Sequence, residues 1–493
     1  MILHNGPIYT MDPRLPQVRA LAVADHVIAG GVDVREGEAD TVGHERIDLD
    51  GRCVLPGFSD SHVHFLDWAL ERSWLDLHPH TSLAQTLAAV ATAAGEGDGW
   101  LRGKGWLAAR WPDGPPTAAA LDSVTGERPA ALWAHDHHTL WVNSAALRAA
   151  GVGHADGVLH EWEAWRFPLP APTVLERSRA LRDGMREANA RGVIGVHDFQ
   201  AHDGRELWQR YDADRRLTLR VAMSVQLDDL AAARAVEIRT GFGSELLRFG
   251  PVKAFMDGTL GSHTAWMLDG SGQQLLSEDE LATAISEAAA CGLSVAAHAI
   301  GDGANRAALN AFERTADAWE QALLRPRIEH VQCLDDADLP RFAELGVIAS
   351  VQPVHATSDR DLADEIWGER AAKGYRTRDL LDSGAHVVFG ADPPIEELDP
   401  MAAIQAAVHR TLDERDPWHP EQRIPVADAI SCHTAAAAYA VGEERRRGCL
   451  LPGLEADLVV LDTDIVAHPE RIAGAGVVAT MLAGRWVHGR PPW

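Results

Sequence analysis

The sequence predicts an α/β protein: a (β/α)8 (TIM) barrel with a small composite β-sandwich from both termini and an insertion after the first barrel strand. Short apolar strands alternate with Ala-rich helical stretches through the middle of the chain, which is typical of a parallel sheet. Both ends are instead rich in short strands broken by Gly and Asp. The predicted boundaries are 1–56 and 441–493 for the β-sandwich, 57–440 for the barrel and 66–169 for the insertion.

Nine segments of the middle region have the composition of barrel strands, one more than a closed eight-stranded barrel needs. They are 57–65, 131–138, 193–199, 219–225, 251–257, 294–300, 327–332, 347–353 and 386–392. The surplus segment is 131–138, because it lies in region 66–169, which is rich in Gly and Pro and holds nine of the sixteen tryptophans. Assigning that region to an insertion leaves eight barrel strands.

Charge and cysteine content exclude several classes of protein. The 45 basic and 72 acidic residues give a net charge of −27, which disfavours binding to nucleic acid. The five cysteines include no CxxC pair, and no apolar run is long enough to span a membrane. The chain opens without the basic and apolar regions of a signal peptide, so we expect a cytoplasmic protein. A small-molecule substrate is the expected partner, and a homo-oligomer is left open.

Two histidines begin the argument for a metal site. His62 and His64 lie two apart on the first predicted barrel strand, so both side chains point the same way and can bind one metal ion. Alone, they could also be two polar residues at the end of a strand. The case strengthens because four more polar residues, Lys253, His298, His330 and Asp392, lie at or near the carboxyl ends of other strands, which converge on one face of a parallel barrel. Any one could be a satisfied core residue, but six together indicate an active site.

Lys253 is one of only three lysines among the 45 basic residues. An ammonium group among metal ligands would repel the metal, so either Lys253 is displaced from the site or its charge is removed. A carbamate formed with CO2 removes the charge and is an anionic ligand that can bridge two cations. Arginine cannot replace lysine in this reaction, because its guanidinium stays charged. The sequence therefore favours a role for the amine itself.

Several motifs together resemble the amidohydrolase superfamily, and within it the YtcJ-like branch that includes N-substituted formamide deformylases. They are LPGFSDSHVHF, KAFMDGTLGSHTA, HAIGDGAN, RIEHVQ, GVIASVQP and FGADPPIEELDP, with DHHTLWVNSAAL in the insertion and GCLLPGLEADLVVLDTD near the end. The resemblance implies that His62 and His64 bind one zinc ion and that His298 and His330 bind another. It also implies that carboxylated Lys253 bridges the two ions and that Asp392 binds the first and shuttles protons. Two positions depart from the family pattern: Ala391, where Ser is more common, and His263, where Arg is common.

The site predicts metal-assisted hydrolysis of a carbon–nitrogen bond, most simply an amide or N-formyl group, by a metal-bound hydroxide with Asp392 as the proton carrier. Candidates for substrate contact are His138, Asp257 and His263, and the Trp-rich insertion could bind an apolar or aromatic group. Deamination or cyclic-amide hydrolysis on the same site is one alternative, although superfamily deaminases typically lack the bridging lysine. A catalytically idle barrel that serves as a binding or regulatory protein is the other.

Overall fold

Eight parallel strands form the central sheet of the computed structural model, which describes residues 1–31, 45–95, 99–108, 111–134, 139–154, 156–160, 162–200 and 204–491. The strands follow one another in chain order: Phe58–Val63, Val193–Asp198, Arg220–Gln226, Leu247–Phe255, Val295–Ala299, Arg327–His330, Ile348–Val351 and Val387–Phe389. Near the carboxyl ends of the first and eighth strands, two backbone hydrogen bonds join the chain segments. The Asp392 amide donates to the His62 carbonyl at 2.8 Å and the His64 amide to the Pro393 carbonyl at 2.9 Å. The predicted fold class, a barrel of eight strands, is confirmed.

Helices connect the barrel strands and cover the outside of the sheet. The helix Glu278–Ala289 begins where the sequence provides a cap, because Ser277 and Glu280 form a reciprocal capping box at its first turn. Its apolar face buries Leu281 and Ile285. The other helices outside residues 66–183 are Gly204–Ala213, Leu230–Ala235, Asp302–Arg314, Ala316–Gln321, Arg341–Leu345, His355–Ser358, Arg360–Trp367, Thr377–Asp382, Pro400–His409, Val426–His433 and Ala435–Ala440, and the helices Phe65–Glu71 and Val174–Ala190 contain the two boundaries of that range.

The two termini share one eight-stranded sheet. Its connection is the antiparallel pair Cys53–Pro56 and Leu458–Leu461, in which Leu458 lies opposite Pro56 and Leu461 opposite Cys53. The remaining strands are Ile2–Tyr9, Gln17–Ala24, Val27–Gly31, Arg46–Asp48, Val477–Leu482 and Arg485–His488. Strands from both ends of the chain therefore share one sheet, as the predicted fold class requires, and the domain boundaries 1–56 and 441–493 stay a prediction.

Residues 66–183 form a compact unit of their own. Five strands make its sheet, in the spatial order Val158–His160, Thr139–Val142, Ala130–Ala134, Leu101–Trp106 and Leu75–Asp76. Of the surplus segment 131–138, residues 131–134 belong to this sheet and not to the barrel, whereas 135–138 lie outside the described residues; the insertion boundaries 66–169 stay a prediction. Among the described residues of this unit, the helices that lie entirely within it are Leu83–Ala94, Ala118–Thr125, Ser144–Ala150 and Trp162–Trp165.

Three of the tryptophans in this unit belong to its hydrophobic core. The rings of Trp106, Trp111 and Trp141 pack against one another with centroids 5.8 to 5.9 Å apart, and all three are buried. Such aromatic packing is stabilising beyond the area it buries. These three rings therefore account for part of the tryptophan content without a ligand. Among the described residues of the whole chain, no helix has the length and apolarity needed to cross a membrane.

Candidate metal centre

Three buried side chains meet at the carboxyl ends of the first, sixth and eighth barrel strands. One ligand atom from each of His62, His330 and Asp392 lies within 4.8 Å of the other two. This is the scale on which several protein ligands surround one ion. Because strands in a parallel barrel bring their carboxyl ends to one face, residues more than 300 positions apart in sequence reach the same point.

His62 is held by a carboxylate behind it. Its Nδ1 donates to Glu329 Oε2 at 2.7 Å, so Nε2 is the atom directed to the site, 3.5 Å from Asp392 Oδ1. The ring also stacks on Phe199, with centroids 4.4 Å apart. Burial holds the pKa of His62 well below its usual value, so the imidazole is neutral, as a metal ligand must be. A carboxylate that orients a ligating histidine in this way is common in metal sites.

Glu329 is fully buried and carries its charge because of its neighbours. Burial by itself raises the pKa of this carboxyl, but Arg327 and Lys253 outweigh it and the pKa is lowered. The Arg327 guanidinium contacts the carboxylate and also donates to the Ser61 carbonyl at 2.7 Å. The result is an ordered chain from Arg327 through Glu329 to the His62 ring.

His330 and Asp392 both adopt left-handed backbone conformations, with φ of 78° and 58°. Non-glycine residues rarely do so, and such strain is concentrated at functional sites. His330 donates from Nδ1 to Gln352 Oε1 at 2.8 Å, which leaves its Nε2 as the ligand atom. Burial keeps the pKa of His330 well below its usual value and raises the pKa of Asp392 to about 6.

Lys253 lies beside this cluster on the fourth strand. Its Nζ is 3.5 Å from His62 Nε2 and lies over the rings of Phe199 and Phe255, at 4.7 and 5.0 Å from their centroids. Burial lowers the pKa of the amine to about 8. A much larger fraction of this lysine than usual is therefore uncharged near neutral pH.

The other two predicted ligands flank the cluster. His64 is partly exposed, and its Nε2 lies 3.6 Å from Asp392 Oδ1. The His298 ring lies 4.5 Å from that of His330, but its Nε2 donates to the Gly258 carbonyl at 3.0 Å, so Nδ1 would be its ligand atom. Burial lowers the pKa of His64 to about 4 and that of His298 to about 3. Neutral imidazoles with a carboxylate fit a divalent metal such as zinc.

The three candidates for substrate contact lie in different surroundings. Asp257 is fully buried and accepts hydrogen bonds from the backbone amides of Ile300, Gly301 and Trp266 at 2.8 to 3.0 Å, so it organises the loops around the site. His263 is exposed in a turn with φ of 57°. His138 lies outside the described residues. Substrate contact by these three residues stays a prediction.

Sequence reasoning missed three residues that surround the cluster. Asp60 is fully buried and accepts hydrogen bonds from the backbone amides of His62 and Ala391 at 3.0 to 3.1 Å. Glu329 precedes a predicted ligand on the same strand, which was a signal that could have found it. His355 follows the seventh strand by four residues, and its ring centroid is 6.5 Å from that of His330. The signal that could have found His355 is its position just after a barrel strand, the same signal that identified Asp392.

A metal-dependent hydrolase barrel is the class of protein that this fold and site define. The model of the amidohydrolase family matches residues 45–488, and the chain belongs to that family. It is accordingly an enzyme of the class that hydrolyses carbon–nitrogen bonds other than peptide bonds. The resemblance inferred from the motifs is thereby confirmed.

Individual relatives match along most of the chain. The chain is 30% identical to Protein LONG AFTER FAR-RED 3 of Arabidopsis thaliana, covering 99% of this chain and 91% of that protein. It is 25% identical to an N-substituted formamide deformylase of Arthrobacter pascens, covering 94% of each. Among solved structures, an uncharacterized metal-dependent hydrolase from Pyrococcus horikoshii superposes with a TM-score of 0.82 at 26% identity, covering 94% of this chain and 98% of that one.

Proposed function

We propose that the protein hydrolyses an amide or N-formyl group of a small molecule, releasing an amine. The observation that carries the proposal is the buried cluster of His62, His330 and Asp392, in which two neutral imidazoles converge with a carboxylate. The similarity to an N-substituted formamide deformylase supports the N-formyl group as the first substrate to test.

The proposed ligands are those of the cluster together with their neighbours: His62, His64, Lys253, His298, His330 and Asp392. We assign them to two zinc ions, with His62 and His64 on one side and His298 and His330 on the other. A divalent ion held there would supply Lewis-acid chemistry, lowering the pKa of water and polarising a carbonyl group. The short distances from Asp392 to His62 and His64 support this grouping.

Lys253 is proposed to carry a carbamate. The uncharged amine attacks CO2, a nitrogen–carbon bond forms and one proton leaves, giving an anionic group. Burial that lowers the pKa of the amine to about 8 supports this step, because only the unprotonated nitrogen is nucleophilic. The change from cation to anion would also remove the repulsion between an ammonium group and metal ions.

Asp392 is proposed to move the protons. As water attacks the carbonyl carbon, its proton passes to the Asp392 carboxylate, and the same carboxyl then donates that proton to the departing amine nitrogen. A pKa of about 6, raised by burial, allows this carboxyl to accept and release a proton near neutral pH. The Asp392 backbone amide, which donates to the His62 carbonyl at 2.8 Å, fixes the carboxyl next to the ligands.

The test is metal content together with turnover, on the wild type and Lys253→Ala purified with bicarbonate present. We expect about two ions per chain in the wild type and fewer in the variant, with amine released from an N-formyl amine or an amide. Lys373→Ala is the matched control, because Lys373 binds Asp335 at 2.8 Å and is no part of the site. One ion per chain in both proteins would refute the carbamate bridge. Ammonia release from an amino-substituted ring would instead indicate a deaminase, and a metal-free, inactive protein would favour the idle barrel.

A further inference from the structure

His355 is a buried histidine whose contacts leave one ring nitrogen unused. It begins the short helix His355–Ser358 and is 5% exposed. The Gln332 side-chain amide donates to its Nδ1 at 3.3 Å. A neutral imidazole that accepts at Nδ1 carries its proton on Nε2, so Nε2 is a hydrogen-bond donor. In the part of the chain that the structure describes, this Nε2 has no hydrogen-bond partner.

A buried donor without a partner is costly, typically about 1–3 kcal/mol, and is therefore informative. His197, His419 and His433 also have an Nε2 without a partner among the described residues, but their surroundings differ. His433 donates from Nδ1 to the Ser59 carbonyl at 3.0 Å and packs edge-on against phenylalanine rings. His197 lies against the Arg327 guanidinium, and the His419 ring meets that of Trp418 edge to face.

Of these four, only His355 has a described ring contact with a residue of the cluster. Its ring is nearly parallel to that of His330, at an angle of 12°, with centroids 6.5 Å apart. His355 also follows the seventh strand by four residues, at the face of the barrel where the carboxyl ends of the strands converge. The unused donor thus lies beside the cluster, on the face of the barrel that a substrate reaches.

We infer that His355 is a catalytic residue that donates its Nε2–H to the carbonyl oxygen of the substrate; this inference rests on the proposed function. When water adds to the carbonyl carbon, the electron pair of the C=O bond moves to that oxygen, and the donor stabilises the charge. When the carbon–nitrogen bond breaks, the C=O bond re-forms and the amine takes its proton from Asp392. Gln332 is a positioning residue, because its amide at Nδ1 fixes which nitrogen carries the proton.

The experiment compares His355→Leu, His355→Gln and a control, His433→Leu, which removes a buried imidazole outside the site. Loss of one such donor lowers kcat by about 10²–10³-fold. We expect that loss in His355→Leu, with KM and metal content unchanged, and partial recovery in His355→Gln, which keeps an N–H donor. The control is expected to keep kcat. Full activity in His355→Leu, or a loss explained by missing metal, would overturn the inference.

A second measurement separates hydrogen bonding from a structural effect. Sulfur accepts hydrogen bonds poorly, so replacing the carbonyl oxygen of the substrate by sulfur slows an enzyme that relies on this contact. We expect the ratio of oxygen to sulfur rates to be at least about tenfold larger in the wild type than in His355→Leu. Equal ratios in the two proteins would contradict a contact between His355 and the carbonyl oxygen.

Binding of formate to the metal-loaded proteins distinguishes failure of this inference from failure of the proposed function. A carboxylate oxygen can accept from the same donor, and calorimetry is expected to show about tenfold weaker binding in His355→Leu than in the wild type or the control. If the wild type cleaves no amide or N-formyl amine but formate binding still depends on His355, the substrate class is wrong and oxygen recognition by His355 stands. If the wild type cleaves the substrate, and His355→Leu changes neither kcat nor formate binding, His355 has no such role.

Discussion

Gly390 follows the eighth barrel strand at a point where a side chain has no room. A Cβ atom built at this position would lie 2.6 Å from the backbone nitrogen of His62 and 2.8 Å from the His62 Cβ, against an ordinary contact of at least 3.4 Å. The substitution Gly390→Ala must therefore separate the two strands locally by about 0.8 Å. The backbone atoms it meets cannot rotate away.

The size of the effect follows from what that separation moves. His62 provides one ligand atom of the cluster, and Asp392 is two residues beyond Gly390. A misplacement approaching 1 Å at catalytic groups lowers activity by about 10²-fold, and overpacking lowers the free energy of unfolding by about 1–3 kcal/mol. We therefore expect kcat/KM of Gly390→Ala to fall by about 10²-fold and its metal content to decrease.

The assay measures kcat/KM, bound metal and thermal unfolding on the same preparation. Gly474→Ala is the control, because a Cβ there meets no atom within 4 Å and the residue is exposed. Unchanged turnover and metal content in Gly390→Ala would show that the strands separate without displacing His62. The spacing of these two strands would then not determine the geometry of the site.

Three further outcomes are expected. Arg220→Met removes the partner of the buried Asp457, whose oxygens lie 2.7 and 3.1 Å from the guanidinium. It should lower the free energy of unfolding, measured in denaturant, by about 3–5 kcal/mol. A loss below about 1 kcal/mol would contradict an uncompensated buried charge on Asp457. Asp257→Asn places an amide among three backbone donors and should lower both thermal stability and kcat/KM, whereas the exposed Asp317→Asn should change neither. A protonated Asp392 cannot accept a proton, and its pKa is about 6, so kcat/KM should be constant near pH 7 and decrease as the pH drops below about 6. Bound cations favour the carboxylate and would shift this decrease to lower pH. A decrease that begins above pH 7 as the pH is lowered would implicate another group.

The barrel was predictable because its strands are apolar runs with polar residues at one end, and those ends also indicated where His62, Lys253, His330 and Asp392 would lie. The fourth strand begins earlier than predicted, at Leu247 instead of residue 251. Arg248 and Gly250 interrupt the apolar pattern there, but Leu247–Phe249 pairs with Val221–Met223 of the neighbouring strand. Pairing with the neighbouring strand therefore determines where the fourth strand begins, and the hydrophobic periodicity of its own sequence does not show this.

Within the site, residue types were predictable and their contacts were not. Glu329 determines which nitrogen of His62 faces Asp392, because it accepts a hydrogen bond from the other nitrogen. His298 Nε2 donates to the Gly258 carbonyl, which belongs to the loop after another strand. The left-handed backbone of Asp392 depends on hydrogen bonds to the first strand. Each of these is a relation between segments far apart in sequence, which a single sequence does not display.

The pairing of Cys53–Pro56 with Leu458–Leu461 has a consequence for how the protein is made. During synthesis, the amino-terminal strands emerge about 400 residues before their partner, and at roughly 5–20 residues per second this leaves a bare sheet edge for about 20–80 s. Unpaired strand edges recruit other chains, so nascent or truncated molecules ending before residue 458 should be the aggregation-prone form of this protein. Completion of the last strands on the ribosome therefore protects the first ones.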